Sequence, residues 1–195
     1  MRSWPTVYIP DLSERFRLPP LSLFNSSDAA LNVVPQQDAY LIYVCGITPY
    51  DATHMGHAAT YLAFDTLVRA WRDAGHSVHY VQNVTDIDDK VLDNAQAGGV
   101  EEWWALAYRM EAEFTAAYDL LGIQRPSYEP RATASIPEMI AIIERLIERG
   151  HAYPAADNSG DVYFDTASWS SYGELTNQKP AEMEAAADAD MHTFR

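Results

Sequence analysis

The sequence predicts an α/β fold with a parallel sheet, on three observations. The run AYLIYVC over residues 39–45 is continuous, apolar and rich in β-branched and aromatic residues, and it stops at Gly46. That pattern fits a strand buried on both faces. A second such run, VHYVQNV, occupies 78–84. Between them Leu62, Phe64, Leu67, Val68 and Trp71 are spaced for one helical face, with Gly75 as the stop. Strand, helix and strand in this order form a βαβ unit, whose crossover is right-handed and whose strands run parallel.

The elements around this unit follow from local chemistry. Residues 1–38 carry Pro5, Pro10, Pro19, Pro20 and Pro35. Each proline fixes its backbone and removes a donor, so an extended arm is expected, with one short strand at 21–24. The main domain is expected over 39–178. After the βαβ unit, Trp103, Ala107, Met110, Phe114, Ala117 and Leu121 recur three or four apart with acids between them, as on one long amphipathic helix. Ser135 and Glu138 have capping-box spacing, Ile140, Ile143 and Leu146 form a stripe, and Gly150 ends it, so a further helix is expected there. Residues 151–153 and 161–165 flank the turn-rich Asp157-Asn158-Ser159-Gly160 and predict a β-hairpin. Residues 179–195 hold mainly alanine and acids with few large apolar side chains, and are expected to pack poorly.

Composition narrows the function classes. Lys+Arg 13 against Asp+Glu 28 give a net charge of −15, which opposes any general coating of nucleic acid. The single cysteine, Cys45, cannot form an intramolecular disulfide, and a cytoplasmic protein is expected. No apolar run reaches the roughly 18 residues of a membrane span, so no membrane partner is expected.

His54-Met55-Gly56-His57 lies between the first strand and its crossover helix, where open α/β sheets bind ligands beyond the strand C-termini. Two imidazoles beside a helix N-terminus donate to phosphate oxygens while free amides and the macrodipole favour negative charge. Gly56 leaves space for a nucleotide to approach. Cys45, taken alone, reads as a small buried hydrophobe, and Thr85 as a helix cap. Asp86, Asp88 and Asp89 read as acids of a first helical turn. Trp103 reads as a packing position and Trp104 as a surface one.

Two blocks carry more than spacing: residues 43–61, YVCGITPYDATHMGHAATY, and 80–90, YVQNVTDIDDK. They closely resemble the cysteine-activating branch of the class I aminoacyl-tRNA synthetase superfamily, and the resemblance covers roughly residues 40 to 178. It implies a Rossmann-like parallel sheet of the class I synthetase type, incomplete here, with a helical insertion and a hairpin. It also implies that His54, Gly56 and His57 serve adenylation, Met55 replacing the usual isoleucine of that signature. Cys45, Gly46, Ile47, Thr48, Thr60, Asn83, Val84 and Thr85 would line a cysteinyl-adenylate pocket. Cys45 becomes a Zn²⁺ ligand that leaves room for the substrate thiolate, so that zinc would select cysteine over serine. ATP would be a substrate, accompanied by Mg²⁺.

Within this branch, 47–54 and 56–61 look more like the mycothiol ligases, whereas Asp89-Lys90, 160–165 and 172–175 look equally like the cysteinyl-tRNA synthetases. The expected partners are therefore ATP, L-cysteine and glucosaminyl-inositol, with no tRNA, the protein acting as a monomer. A tRNA acceptor, a truncated paralogue without catalysis and a simple nucleotidyltransferase stand as alternatives. The family's further zinc ligands and its Lys-Met-Ser-Lys-Ser loop are not found in these residues, so the chain reads as the N-terminal portion of a longer enzyme. By itself it is expected to activate cysteine weakly or not at all.

Overall fold

In a computed structural model, residues 19–100, 102–157 and 159–178 are described. The expectations for residues 1–18 of the arm and for the tail 179–195 lie outside them. The described residues divide into two compact units, one of residue 19 with 36–136 and one of 20–35 with 137–178.

The first unit is built on the βαβ motif. Strand β3 (Ala39–Ile47) and strand β4 (Ser77–Val84) pair in parallel, with Tyr40 opposite Val78 and Val44 opposite Gln82, and helix α1 (Met55–Asp73) crosses between them. Residues 128–131 add parallel bridges on the far side of β4, at Val81 to Tyr128 and Val84 to Arg131. The helix starts earlier than its apolar stripe suggests, because His54 caps it well before Leu62. Helix α2 (Asp89–Ala97) is capped by Asp88, whose side chain accepts the Lys90 N–H at 2.9 Å. Helix α3 (Trp103–Leu121) is the long amphipathic helix expected, ended by Gly122 at φ 64°.

The core of this unit gathers Val44, Tyr61, Val68, Tyr80, Val84 and Phe114, all 4% exposed or less. One expectation fails here. β3 is not buried on both faces, since Leu41 is 84% and Tyr43 62% exposed and Cys45 is exposed as well. Tyr40, Val44 and Ile47 are buried on one face, where Tyr40 stacks on Trp71 of α1 with ring centroids 4.3 Å apart, while Leu41, Tyr43 and Cys45 alternate onto the exposed one.

Asp65 joins α1 to the end of α3. The carboxylate is 6% exposed, takes Arg69 Nε at 2.7 Å and accepts the Gln124 N–H at 3.0 Å. Arg69 also donates to the carbonyl of Gly122. Asp65→Ala leaves the buried Gln124 N–H without its acceptor and Arg69 with the Gly122 carbonyl but no counter-charge, and a loss of about 3 kcal/mol is expected. Equilibrium urea unfolding checks this; a midpoint equal to that of the unsubstituted protein would refute it.

In the second unit, β1 (Ser22–Asn25) and β2 (Ala30–Val33) pair antiparallel. The short strand expected at 21–24 is thus shifted by one residue and has a partner that the sequence did not announce. Helix α4 (Ile136–Glu148), whose first residue belongs to the other unit, has the expected stripe, with Ile140 and Ile143 exposed. Its expected capping box is absent. Ser135 sits in a 3-10 turn and its hydroxyl donates back to the Arg131 carbonyl at 3.0 Å. β5 (Ala152–Pro154) and β6 (Val162–Phe164) form the expected hairpin, with Tyr153 opposite Tyr163.

Candidate active site

The N-terminus of α1 lies just beyond the C-terminal end of β3. His54 takes an extended N-cap conformation, and its Nδ1 accepts the Gly56 N–H at 3.1 Å. The His54 N–H in turn donates to His57 Nδ1 at 3.3 Å, and Thr53 Oγ1 stands 3.1 Å from the same nitrogen. With both Nδ1 atoms accepting, each neutral ring carries its proton on Nε2, so two Nε2–H donors remain for a ligand. The rings stack with centroids 4.0 Å apart. No acid occupies the first turn of α1, so the positive end of the helix dipole is not neutralised.

Burial, and secondarily the neighbouring His54, lowers the pKa of His57 below its usual 6.5. Only the neutral ring accepts the His54 N–H, so protonation breaks the cap. The folded state therefore binds this proton less readily than the unfolded chain. Its stabilising contribution is complete above about pH 6.5 and declines as pH falls below it, until folded His57 itself protonates. The His57 ring resonances in NMR are expected to titrate with a midpoint below 6.5; a midpoint above 6.5 would refute the assigned hydrogen bonds.

Gly56 has a local reason as well. A Cβ there would stand 2.8 Å from His54 Cε1 and 2.9 Å from its Nδ1, so the missing side chain makes room for the capping imidazole. Gly46 is more severely constrained. Its N–H donates to Asn83 Oδ1 at 2.8 Å, and a Cβ would lie 1.4 Å from the Asn83 carbonyl oxygen. Asn83 also accepts from the Tyr43 hydroxyl at 2.9 Å and donates to Thr85 Oγ1 at 3.1 Å. The Thr85 N–H closes the junction on the Ile47 carbonyl at 2.9 Å.

Cys45 is exposed at this same strand end, which removes the buried-hydrophobe reading. Its carbonyl accepts the Tyr61 hydroxyl at 3.0 Å. Burial, then the nearby Cys45, pushes the Tyr61 phenol up to about 12 and also raises that of Tyr43. Cys45, Gly46, Asn83 and Thr85 thus meet at one end of the sheet, and His54, Gly56 and His57 follow on the connection to α1. Thr48 and Thr60 are part-buried and exposed, respectively, and Thr60 donates to the Gly56 carbonyl at 3.0 Å. Ile47 and Val84 point into the core, at 6% and 1% exposed, so their side chains serve as walls of the fold.

Two readings are corrected. Thr85 does not cap α2, because Asp88 does. Asp86 is no first-turn acid: it is 7% exposed and accepts Thr133 N–H at 3.0 Å and Thr133 Oγ1–H at 2.6 Å. Arg131 lies 3.6 Å from Asp86 and 2.5 Å from Glu111, which is buried on α3. Sequence reading missed this cluster, whose partners are far apart in the chain. Trp104 is a surface residue and Trp103 a half-buried one, as expected.

Residues 32–194 match the catalytic-domain model of the class I (C) tRNA synthetases. The chain belongs to that family. A protein of Clavibacter sepedonicus named cysteine–tRNA ligase is 62% identical over 181 residues, covering 90% of this chain and 37% of the relative. One of Leifsonia xyli with the same name is 58% identical, covering 90% and 38%. Among solved structures, the Mycobacterium tuberculosis methionyl-tRNA synthetase in complex with methionyl-adenylate matches 60% of this chain and 23% of its own, at 26% identity and a TM-score of 0.53. The Rossmann-like α/β fold of the class I synthetases is thereby established for this domain, in part of its extent, and the chain spans under two-fifths of the length of these cysteine–tRNA ligases. The described residues of this class I synthetase domain do not by themselves form a zinc centre. Cys45 supplies one sulfur, and among the described residues no three His, Cys, Asp or Glu side chains converge. Nor is any described helix long and apolar enough to cross a membrane.

Proposed function

We propose that this domain activates L-cysteine with ATP, forming cysteinyl-adenylate and pyrophosphate, and that the protein carrying it transfers cysteine to tRNA. The observation that carries the reading is the meeting of two half-sites at one end of the parallel sheet. Paired Nε2–H donors at an acid-free helix N-terminus suit a transferring phosphate. Beside them, the Gly46, Asn83 and Thr85 junction with the exposed Cys45 offers small polar groups of the kind an acyl-adenylate needs.

The chemistry requires little covalent participation from the protein. The cysteine carboxylate attacks the α-phosphorus, the bond to the bridging oxygen breaks, and pyrophosphate leaves with the electron pair. His54 and His57 hydrogen-bond the phosphoryl oxygens as charge spreads over them, and the amides of the first turn of α1 add their dipole. The lowered pKa of His57 favours its neutral form, in which Nδ1 keeps the His54 N–H while Nε2–H faces the phosphate. No step is routed through zinc, for which the described residues supply no centre.

tRNA replaces glucosaminyl-inositol as the proposed acceptor. The aminosugar reading rests on residues 47–54 and 56–61, whereas the relatives matching 90% of the chain are named cysteine–tRNA ligase. The charge of −15 disfavours a diffuse anionic contact but is an average over the whole chain, and it leaves a local contact open. The test is cysteine-dependent ATP–pyrophosphate exchange by the gene-encoded protein, followed by transfer of labelled cysteine to tRNA or to glucosaminyl-inositol. Labelled tRNA is expected. Exchange that does not depend on cysteine would overturn the activation reading, and labelled aminosugar the acceptor.

A further inference from the structure

Asp86 follows Thr85 directly, yet its carboxylate bonds Thr133 rather than the junction that Thr85 joins. Its two oxygens are divided between the two donors of one residue, Thr133 N–H on Oδ1 and Thr133 O–H on Oδ2. Arg131 approaches Oδ2 at 3.6 Å and is itself held by Glu111 Oε1. Burial opposes charge on Arg131, but the hydrogen bond and charge of Glu111, followed by Asp86 and Tyr108, outweigh it and keep the guanidinium protonated. A carboxylate this buried needs such donors to remain in place.

The connection runs through very few bonds. Thr85 N–H is fixed on Ile47 O, Thr85 Oγ1 accepts from Asn83, and Asn83 accepts from Gly46. One residue later, Asp86 anchors the chain to 131–133, the segment paired alongside β4 through Val84 and Ala132. The turn after β4 is thus pinned from both sides. On the phosphate side, the side-chain hydrogen bonds of His54 and His57 among the described residues stay within 53–57, and none of them reaches Asp86 or Thr133.

We infer that Asp86 is a positioning residue, which, through its paired bonds to Thr133, holds the turn bearing Thr85 in place and so preforms the acyl side of the site without bearing on its phosphate side. This rests on the proposed cysteine activation. The Asp86 carboxylate is spent on Thr133 and faces Arg131, so the effect reaches the site through Thr85.

The test compares Thr133→Val, which removes the hydroxyl and keeps the shape and the backbone donor, with Thr133→Ser, which restores both donors. In the gene-encoded protein, affinity for ATP and for the non-hydrolysable cysteinyl-sulfamoyl adenosine is measured separately. Thr133→Val is expected to weaken the cysteinyl analogue about tenfold, the size of one hydrogen bond to a charged group, and to leave ATP within about twofold. Thr133→Ser is expected to restore the analogue. Unchanged analogue affinity in Thr133→Val overturns the inference, as does an equal fall for both ligands, which is what general destabilisation produces. If the unsubstituted protein binds no analogue, the activation reading fails, and amide hydrogen exchange at Thr85 then decides about Asp86. Faster exchange in Thr133→Val upholds the latch, and an unaltered rate overturns it.

Discussion

Gly46→Ala is expected to destabilise the first unit by on the order of 4 kcal/mol and to abolish ATP binding with it. The added Cβ would stand 1.4 Å from the Asn83 carbonyl oxygen, 2.6 Å from its carbon and 3.3 Å from its nitrogen. All three atoms are backbone, so no rotamer change relieves the overlap. The strands must separate instead, and separation breaks the Gly46 to Asn83 and Thr85 to Ile47 hydrogen bonds together. Gly56→Ala is the internal control. There the obstacle is the His54 ring, which can rotate, so the fold should persist while the cap and the Nε2–H donor are displaced. Urea unfolding followed by ATP titration separates the two cases. A Gly46→Ala protein within about 1 kcal/mol of the unsubstituted one would show that the strand junction is far more compliant than its geometry implies.

What could be read from the sequence were the features set by local periodicity. β3 and β4 show as unbroken apolar runs and α1 and α3 as a 3.6-residue apolar repeat, and each element is found there, although α1 begins ahead of its stripe and β3 continues to Ile47. The His54 to His57 motif was legible because a helix N-terminus after a strand constrains what short polar residues can do there. Other features depend on what a segment meets in space. The run 39–45 looks the same whether one face of its strand is covered or both, so the exposure of Leu41, Tyr43 and Cys45 was hidden. Strand β2 is short and wholly exposed, with no core-facing alternation to betray it. Glu111 lies among the acids of an amphipathic helix and is nonetheless buried, because Arg131 arrives from another part of the chain. Asp86 was misplaced for the same reason, its partner Thr133 being equally remote. The tautomers of His54 and His57 needed coordinates, since they follow from which nitrogen each backbone amide reaches.

The histidine pair supplies the largest expected effect on catalysis. His57→Ala removes an Nε2–H donor from the transferring phosphate and also the acceptor for the His54 N–H, so it confounds chemistry with the loss of a helix cap worth about 1 kcal/mol. Two substitutions separate them. In His57→Asn the side-chain oxygen takes the place of Nδ1 and preserves the cap, while nothing occupies the Nε2 position. In His57→Gln the side-chain amide reaches toward Nε2 and retains a donor, while the cap is lost. If His57 acts through Nε2–H, His57→Asn should keep its stability and lose roughly 10²- to 10³-fold in ATP–pyrophosphate exchange, the usual effect of removing one preorganised donor from a developing charge. His57→Gln should show the reverse pattern, less stable and more active than His57→Asn. The ranking by rate is opposite to the ranking by stability, which a residue serving only to cap α1 cannot produce. Exchange by His57→Asn at the rate of the unsubstituted protein would remove His57 from the reaction and leave it as the cap of α1 alone.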